Sequence, residues 1–267
     1  MPESMHKPLI EMRNISREIN GSNNKIKTLL SNISWSLHQD SRVAVLSKSQ
    51  PSAQAFLQCA SGVTQAQTGS VTINGNISWP IGMRGGLSPA MSGRHNAYFL
   101  QQIYGEAGQE KRDLEFIQSL AGINDELFRK PIKRYSKVIG ERFYIALALA
   151  FEFDAYIIPK SYIWKSEALN ERQADFYQAL KERTEGKPLV MTGSDHNFLR
   201  EFCNEGILIE NGEIAFTGGI NDCLSRFNES TDSEQLQEEE LEEDVMISDP
   251  KSVDEDYKDS ASSDNIW

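Results

Sequence analysis

Three short runs of consecutive apolar residues place the strongest limit on how this chain can fold. They read VAVLS (43–47), AYIIP (155–159) and PLVMT (188–192). Runs of this length, apolar at nearly every position, are typical of strands buried on both faces of a sheet. Helical spacing follows them, as in AQAFLQCAS after the first run and HNFLREFCN after the third. Strands that alternate with helices in this way predict an α/β fold with a largely parallel sheet.

Two other parts of the chain have a different character. LIEMRNI (9–15) and IKTLLSNISWSL (26–37) are strand-like runs separated by turn-rich segments, and they predict an antiparallel β subdomain. The stretch from about 93 to 150 contains three segments of helical length and spacing. We expect this stretch to form a helical subdomain.

Asparagine-glycine pairs and one further glycine predict where elements end. Asn74-Gly75 and Asn211-Gly212 each lie between apolar runs and predict a tight turn joining two paired strands. Gly186 follows the amphipathic stretch LNERQADFYQALKERTE, where glycine commonly ends a helix. The sequence therefore predicts two hairpins and one helix terminus at these positions.

The negative charge of the chain is concentrated in one segment. Of its 39 acidic and 27 basic residues, 14 and 2 lie between residues 231 and 267, so the other 230 residues carry 25 of each. A neutral globular part gives no electrostatic reason to expect binding to nucleic acid or to a membrane surface. The acidic segment is too polar to bury a core. We expect a folded domain in residues 1–228 and a disordered acidic tail in residues 229–267.

The cysteines and the lengths of the apolar runs indicate in which cellular compartment the chain is found. Cys59, Cys203 and Cys223 lack metal-ligand spacing and leave an odd count, which favours reduced thiols in a cytosolic protein. No apolar run approaches the roughly 18 residues that span a bilayer, and the first residues, MPESMHKPLIE, lack the apolar region of a signal peptide. We expect cytoplasmic localisation without direct membrane insertion, so that any membrane association goes through a partner.

The segment VAVLSKSQPSAQA (43–55) has the layout of a phosphate-binding loop, with a strand before it and a helix after it. Such a loop needs glycines because its backbone N–H groups must turn inward to hold phosphate oxygens. It also needs a lysine and a hydroxyl group toward the phosphates and Mg²⁺. Here no glycine is present, Lys48 precedes the loop, and Pro51 has no N–H to donate.

Three longer phrases can be compared with a known family. They are GSVTINGNISWPIGMRGGLSPAMSGRHNAYFLQQIYG (69–105), PIKRYSKVIGERFYIALALAFEFDAYIIPK (131–160) and KPLVMTGSDHNFLREFCNEGILIENGEIAFTG (187–218). In this order they resemble the ATPase subunits of bacterial capsular-polysaccharide exporters, and the resemblance runs from about Ile10 to Phe227. It implies an ATP-binding-cassette (ABC) fold, with an antiparallel β subdomain and a helical subdomain around the α/β core.

The resemblance assigns the phosphate-loop positions to residues without the matching chemistry. The glycine positions fall on Ser47, Gln50 and Ser52, the lysine on Ala53, and the hydroxyl positions on Gln54 and Ala55. Shifting the alignment does not restore the motif, because nothing glycine-like follows Lys48. The alternative is an ordinary strand–loop–helix turn.

The other nucleotide positions of the family are also altered. The Mg²⁺ ligand and the carboxylate that polarises the attacking water correspond to Pro159 and Lys160, and a lysine there would repel a metal ion. The switch histidine corresponds to Ser194, with His196 as a possible substitute two residues later. The aromatic residue that stacks on adenine corresponds to Ile19, which has no π system.

The family's signature turn, which offers a helix N-terminus to the nucleotide of a partner protomer, corresponds to RYSKVIGER. Ser136 is retained, whereas Lys137 and Val138 occupy positions where backbone should approach phosphate. Ser136 has the alternative role of a helix N-cap.

Together these departures imply a catalytically degenerate cassette, a pseudo-ATPase with no cofactor and with weak or absent ATP and Mg²⁺ binding. The resemblance implies a structural or regulatory role beside the membrane-spanning permease, an intact cassette ATPase, or both, of a polysaccharide exporter. The chain would then be peripheral on the cytoplasmic face of the inner membrane. Because the signature is altered too, the chain would complete a partner's nucleotide site poorly.

The stretch WPIGMRGGLSPAMSGRHNAYF (79–99) keeps its family character and corresponds to the groove by which such cassettes dock on membrane subunits. The candidate partner contacts are Trp79, Pro80, Arg84 and Tyr98. The alternative is that these residues pack the junction between the subdomains.

Two other functions stay open. The chain could be a working exporter ATPase that uses Lys48 or Lys160 for phosphate and an acidic group such as Asp154 for metal. It could also be a soluble scaffold unrelated to transport, which recruits basic partners through its acidic tail.

Overall fold

A computed structural model of the chain describes residues 7–20, 26–84, 86–159 and 169–231. Eight strands and eight α-helices are assigned within these ranges. The strands are β1 (Ile10–Asn20), β2 (Ile26–Leu37), β3 (Arg42–Ser47), β4 (Thr68–Ile73), β5 (Tyr156–Ile158), β6 (Leu189–Thr192), β7 (Glu205–Glu210) and β8 (Glu213–Gly219). The helices are α1 (Gln50–Ala60), α2 (Gly93–Tyr104), α3 (Glu110–Ala121), α4 (Asp125–Phe128), α5 (Lys137–Ala150), α6 (Gln173–Thr184), α7 (His196–Phe202) and α8 (Ile220–Thr231).

The strands form two sheets. The larger has the order β5-β6-β3-β7-β8, in which the first four strands are parallel and β8 is antiparallel to β7. The smaller has the order β2-β1-β4 and is antiparallel. The predicted α/β fold with a largely parallel sheet and an antiparallel β part is confirmed.

Strand β3 lies at the centre of the larger sheet and contributes to both hydrophobic clusters. Val43 and Val45 belong to a cluster that contains α1 and residues of the smaller sheet. Ala44 and Leu46 belong to the other cluster, which joins the sheet to the helices between residues 93 and 150. Because successive side chains point to opposite faces, β3 is buried on both sides, as its uninterrupted apolar run predicts.

Two of the three predicted turns are confirmed. Asn211 and Gly212 both have positive φ, 50° and 84°, and join β7 to β8 in a hairpin. Gly186 follows α6 with φ of 63°, the left-handed conformation that ends a helix.

The predicted hairpin at Asn74-Gly75 is wrong. Strand β4 ends at Ile73 and pairs with β1 only, and after the turn the chain runs beside β5. The N–H of Ser78 donates to the carbonyl of Ala155, and the side chain of Asp154 accepts from the N–H of Asn76 at 2.7 Å. Pairing with the edge of the large sheet therefore replaces the local hairpin, and the turn links the two sheets.

The three cysteines are buried, and none forms a disulfide. Burial raises the pKa of the Cys203 thiol to about 12 and that of Cys223 to about 11, because a thiolate is poorly solvated in the interior. The thiolate is the reactive form, so both groups are chemically quiet in the folded state. Within the described ranges, no helix is both long and apolar enough to cross a bilayer.

The start of α2 depends on a glycine. A Cβ atom placed on Gly93 would lie 2.1 Å from the hydroxyl oxygen of Tyr135, whose ring packs edge-on against Phe143. Burial also raises the pKa of Tyr135 to about 12. A side chain at residue 93 would therefore displace the segment that precedes α5.

We expect Gly93→Ala to lower the free energy of unfolding by about 1–3 kcal/mol, the usual cost of forcing extra volume into a packed site. Gly140→Ala is the matched control, since its Cβ would meet Tyr144 at an ordinary 3.8 Å. Alanine is the better residue in a helix interior by up to about 1 kcal/mol, so this control should be neutral or stabilising. Urea denaturation measures both, and equal losses in the two variants would contradict this packing account.

Candidate functional site

The candidate site is the edge of the large sheet where the parallel strands β3, β5 and β6 end. Val45 lies level with Thr192, and Ala44 and Ile158 both lie level with Met191. In open α/β sheets, ligands bind at the carboxyl ends of the strands. The structure thus places the predicted positions Ser47, Pro159 and Ser194 at the ends of these strands or just after them.

The connection from β3 to α1 is two residues long. Strand β3 ends at Ser47 and α1 begins at Gln50, so that only Lys48 and Ser49 lie between them. No residue from Ser47 to Ala55 has positive φ. A phosphate-binding nest is built by residues that alternate between right- and left-handed conformations, and this backbone has no left-handed residue.

Ser49 takes up the backbone donors at the start of α1. Its carbonyl oxygen accepts from the N–H of Ser52 at 3.0 Å and from the N–H of Ala53 at 3.2 Å. The hydroxyl of Ser52 donates to the hydroxyl oxygen of Ser49 at 2.9 Å, and the N–H of Ser49 donates to the side chain of Ser47 at 3.2 Å. Pro51 has no N–H. Three of the backbone N–H groups near the start of α1, those of Ser49, Ser52 and Ala53, are therefore bonded within the chain.

The side chains of this turn face the core. Ser52, Ala53 and Ala55 are 2–3% exposed, and the two alanines belong to the cluster around α1. The lysine position of the loop is thus a buried methyl group. Gln50 and Gln54 are half-buried.

The remaining nucleotide positions carry no metal-binding or stacking group. Pro159 follows β5, and Lys160 lies outside the described residues. Ile19, in β1, is half-buried and packs against the cluster around α1. In the part of the chain that the structure describes, no three His, Cys, Asp or Glu side chains converge as a metal site requires.

His196 packs against helix α8. It is the first residue of α7, whose N-cap Asp195 accepts from the N–H groups of Asn197 and Phe198. Its ring packs edge-on against Phe227 of α8, with the ring centres 6.0 Å apart. Ser194, by contrast, is exposed at the edge. The packing of His196 against α8 argues against its use as a substitute for the switch histidine.

The signature-equivalent turn opens α5. Ser136 is the N-cap, and its hydroxyl oxygen accepts from the N–H of Ile139 at 3.3 Å. Lys137 and Val138 follow as the first two helical residues, and both side chains are exposed. Ser136 therefore has the N-cap role that the sequence left as an alternative.

Asp154 lies at the wrong edge to serve this site. It precedes β5, whereas the phosphate-loop position follows β3, and the two strands run parallel in one sheet. Counting residues along the strands gives a separation of roughly 20 Å at about 3.3 Å per residue. The carboxylate of Asp154 instead holds the turn at Asn76. This placement argues against a nucleotide site in which Lys48 holds the phosphate and Asp154 holds the metal.

The four candidate partner contacts divide into two pairs. Pro80 is buried, and Trp79 is half-buried with its ring 5.3 Å from Tyr104 and 5.6 Å from Phe153. Trp79 packs at the subdomain junction, the alternative that the sequence left open, and keeps part of its surface exposed, whereas the buried Pro80 has almost no surface to offer a partner. Arg84 and Tyr98 are exposed.

Helix α2 presents an apolar surface of which the sequence analysis singled out Tyr98 but not Phe99 or Ile103. Tyr98, Phe99 and Ile103 are 49%, 53% and 54% exposed. Phe99 and Ile103 are one helical turn apart and therefore share a face. Tyr98 also lines a cavity of about 630 Å³ between α2, α3 and α4. The helix was predicted from its spacing, but spacing did not reveal which side stays uncovered.

Comparison with known proteins finds ATP-binding proteins of polysaccharide transport among the relatives. The chain is 30% identical over 172 residues to the polysialic acid transport ATP-binding protein KpsT of Escherichia coli, which covers 64% of this chain and 75% of that protein. It is 23% identical to the capsule polysaccharide export ATP-binding protein CtrD of Neisseria meningitidis serogroup B, over 70% of this chain and 84% of that protein. It is 22% identical to the ATP-binding protein BexA of Haemophilus influenzae, over 83% of this chain and 99% of that protein.

Solved structures show the fold. The dimeric post-hydrolysis state of the ATP-binding cassette MJ0796 bound to ADP and phosphate superposes with a TM-score of 0.62 and 16% identity, over 79% of this chain and 98% of that one. The ATP-binding subunit of an ABC transporter gives a TM-score of 0.62 with 14% identity, over 82% of this chain and 93% of that one. No protein-family model matches the chain. The fold is that of an ABC nucleotide-binding domain.

The position of Asp154 predicts a structural rather than a nucleotide-related role. We expect Asp154→Ala to lower the free energy of unfolding by about 1 kcal/mol through loss of the hydrogen bond to Asn76. Asp154→Asn keeps an acceptor oxygen and should retain most of the stability. Urea unfolding with and without Mg-ATP measures this, and a variant that alters only the response to nucleotide would contradict the structural role.

Proposed function

The chain belongs to the family of ABC ATPase subunits of capsular-polysaccharide exporters, and we propose that it acts there as a structural or regulatory subunit that does not hydrolyse ATP. The relatives are named for transport or export of polysaccharide and for ATP binding. We propose that this chain shares the role in polysaccharide export and that its binding of ATP is weak or absent.

The start of α1 is the single observation that carries the proposal. A phosphate loop must leave its N–H groups free and aimed at one point, whereas here Ser52 and Ala53 donate theirs to Ser49. Ala53 offers a buried methyl group where the family has a lysine. Loss of one transition-state donor commonly costs about 2.7–4 kcal/mol of barrier lowering. Several such losses at one site remove the basis for catalysis.

The other strand connections support the same conclusion. A proline follows β5, where the fold normally provides a carboxylate for Mg²⁺, and an exposed serine, Ser194, stands for the switch histidine. We propose that the chain needs no cofactor and that binding of ATP and Mg²⁺ is weak or absent. Lys137 and Val138 cover the start of α5 with side chains, so the chain would also complete a partner's nucleotide site poorly. A regulatory role fits better than half of a transport motor.

The apolar face of α2 is the proposed contact with the exporter. Phe99 and Ile103 expose more than half of their surface beside Tyr98, and large exposed apolar groups that lie together mark interaction sites more often than single ones do. Arg84 is exposed on the segment that leads to this helix. The proposed partner is a membrane-spanning permease, an intact cassette, or both. Docking there would hold the chain at the cytoplasmic face of the membrane.

Mg-ATP tests the loss of nucleotide chemistry. We expect millimolar Mg-ATP to leave the melting temperature of the purified chain unchanged and phosphate release to stay at the protein-free background. Ligand at 100 times its Kd would add about 2.7 kcal/mol of stability, which a thermal shift detects easily. KpsT of Escherichia coli serves as the positive control. Turnover that disappears in Lys48→Ala or Lys160→Ala would overturn the proposal and restore the working-ATPase alternative.

Substitutions on α2 test the docking face separately. Phe99→Asp and Ile103→Asp should each reduce co-purification with the co-expressed membrane-spanning subunit of a capsular-polysaccharide exporter by about tenfold, since a buried apolar anchor is commonly worth more than 1 kcal/mol. Gln173→Asp places the same charge on an exposed position of another helix, α6, and is the control. Equal recovery of all three variants would rule out this face as the contact.

A further inference from the structure

A strongly basic surface lies beside the start of α5. Residues 127–140 contain five lysine and arginine side chains and no acidic one, although residues 1–230 are neutral overall. Lys130 pairs with Glu126 at 2.6 Å. The other four are exposed and form no ion pair with any residue in the described ranges; they are Arg129, Lys133, Arg134 and Lys137. We call these four side chains the basic surface.

The segment that packs against the basic surface carries no acidic side chain either. Residues 86–105 lack Asp and Glu. The N–H of Ile132 donates to the carbonyl of Met91 at 3.1 Å, and the N–H of Lys133 donates to the carbonyl of Pro89 at 3.0 Å. A surface whose backbone is already ordered loses less entropy when a ligand binds. The positive charges are therefore displayed together on an ordered backbone before any ligand arrives.

Two aliphatic side chains are exposed among these cations. Met91 is 47% exposed, and Val138, which follows Lys137, is 39% exposed. The two aromatic residues of the segment are turned to the interior, since Phe128 is buried and the half-buried Tyr135 packs its ring edge-on against the core. The surface thus combines positive charge with aliphatic groups and presents no free aromatic ring.

We propose that the basic surface binds the headgroups of anionic phospholipids, so that this face of the domain lies directly on a membrane. Clusters of four or more lysine and arginine side chains are attracted to an anionic leaflet, and its interfacial region accepts aliphatic groups such as Met91 and Val138. A nucleic acid offers phosphates but no apolar partner for these two side chains. Its bases stack on exposed aromatic rings, which residues 127–140 do not present.

The net negative charge of the whole chain does not prevent this contact. At physiological ionic strength, exposed charges are screened beyond about 8 Å, so only charges near the basic surface act on a ligand there. Glu126 is paired with Lys130, and Glu141, the next acidic residue along the chain, lies in the second turn of α5. The local charge is therefore positive, although the whole chain carries a net charge of −12.

This contact is distinct from the proposed docking of α2 on a permease. It needs neither a protein partner nor a nucleotide, and it uses no residue of the phosphate loop. It would place the signature-equivalent turn, with Lys137 and Val138, against lipid headgroups rather than against a second cassette. The chain would then reach the membrane before it meets a permease.

Flotation of the purified full-length chain with lipid vesicles tests the contact. We expect the chain to float with vesicles of one part phosphatidylglycerol to two parts phosphatidylcholine, and to stay in solution with phosphatidylcholine alone. The triple variant Lys133→Ser, Arg134→Ser and Lys137→Ser should bind the anionic vesicles about a hundredfold more weakly, since each such side chain commonly contributes about fivefold to the partition coefficient. Binding should be lost in 1 M salt, where charges are screened within about 3 Å.

A second triple variant separates local charge from total charge. Lys7→Ser, Lys27→Ser and Lys111→Ser remove the same charge from three exposed positions outside the basic surface. This variant should bind anionic vesicles as the native chain does, and both variants should keep the native melting temperature because only exposed side chains change. Equal weakening in the two variants, or equal flotation with and without phosphatidylglycerol, would overturn the proposal.

Two further measurements distinguish a membrane from another polyanion. Met91→Gln together with Val138→Gln leaves the charge unchanged and should weaken vesicle binding several-fold, because apolar side chains no longer enter the interface. A short DNA duplex and polyglutamate should compete poorly at equal anionic charge. Displacement from the vesicles by either polymer would reassign the surface to nucleic acid or to an acidic protein. Since these assays contain neither permease nor nucleotide, their failure leaves the tests of α2 and of Mg-ATP unaffected.

Discussion

The central position of β3 is the constraint on which the rest of the structure depends. The strand pairs with β6 on one side and β7 on the other, and its alternate side chains enter two different hydrophobic clusters. Moving or tilting it would open both clusters at once, so the position of Ser47 at its end is fixed. Whatever follows Ser47 must lie at the ligand-binding edge of an ABC domain. The backbone conformation of the few residues after Ser47 therefore decides whether this edge can bind phosphate.

Only Lys48 and Ser49 connect β3 to α1. A wide phosphate loop needs positions that tolerate positive φ, and glycine meets that need without steric cost. This chain has none between Ser47 and Ala55, and Pro51 in the first turn fixes a φ that suits a helix. Helix α1 therefore begins at Gln50 and buries Ala53. The scaffold is that of an ABC domain, and we propose that this helix start does not hold phosphate.

Local patterns predicted most of the elements, and long-range contacts account for the failures. The apolar runs predicted the parallel strands correctly, because a strand that is buried on both faces has no position for a polar side chain. Gly186 predicted a helix end correctly, because the left-handed backbone conformation there depends on that residue alone. Asn74-Gly75 did form a turn, but Ile77 found β5 instead of a local partner. The sequence suggested His196 as a substitute for the switch histidine because it lies two residues after Ser194. In the structure its ring packs against α8. The uncovered face of α2 at Phe99 depends on what the neighbouring helices leave open, which no single segment encodes.

One surface of the helical part then remains for a protein partner, the apolar face of α2. The regulatory role proposed for the chain depends on the claim that the nucleotide edge is closed. A crystal structure grown with saturating Mg-ATP tests that claim most directly. The account predicts α1 starting at Gln50, with the Ser52 and Ala53 amides still bonded to Ser49 and no ordered triphosphate. A first turn unwound around a well-ordered γ-phosphate would contradict it.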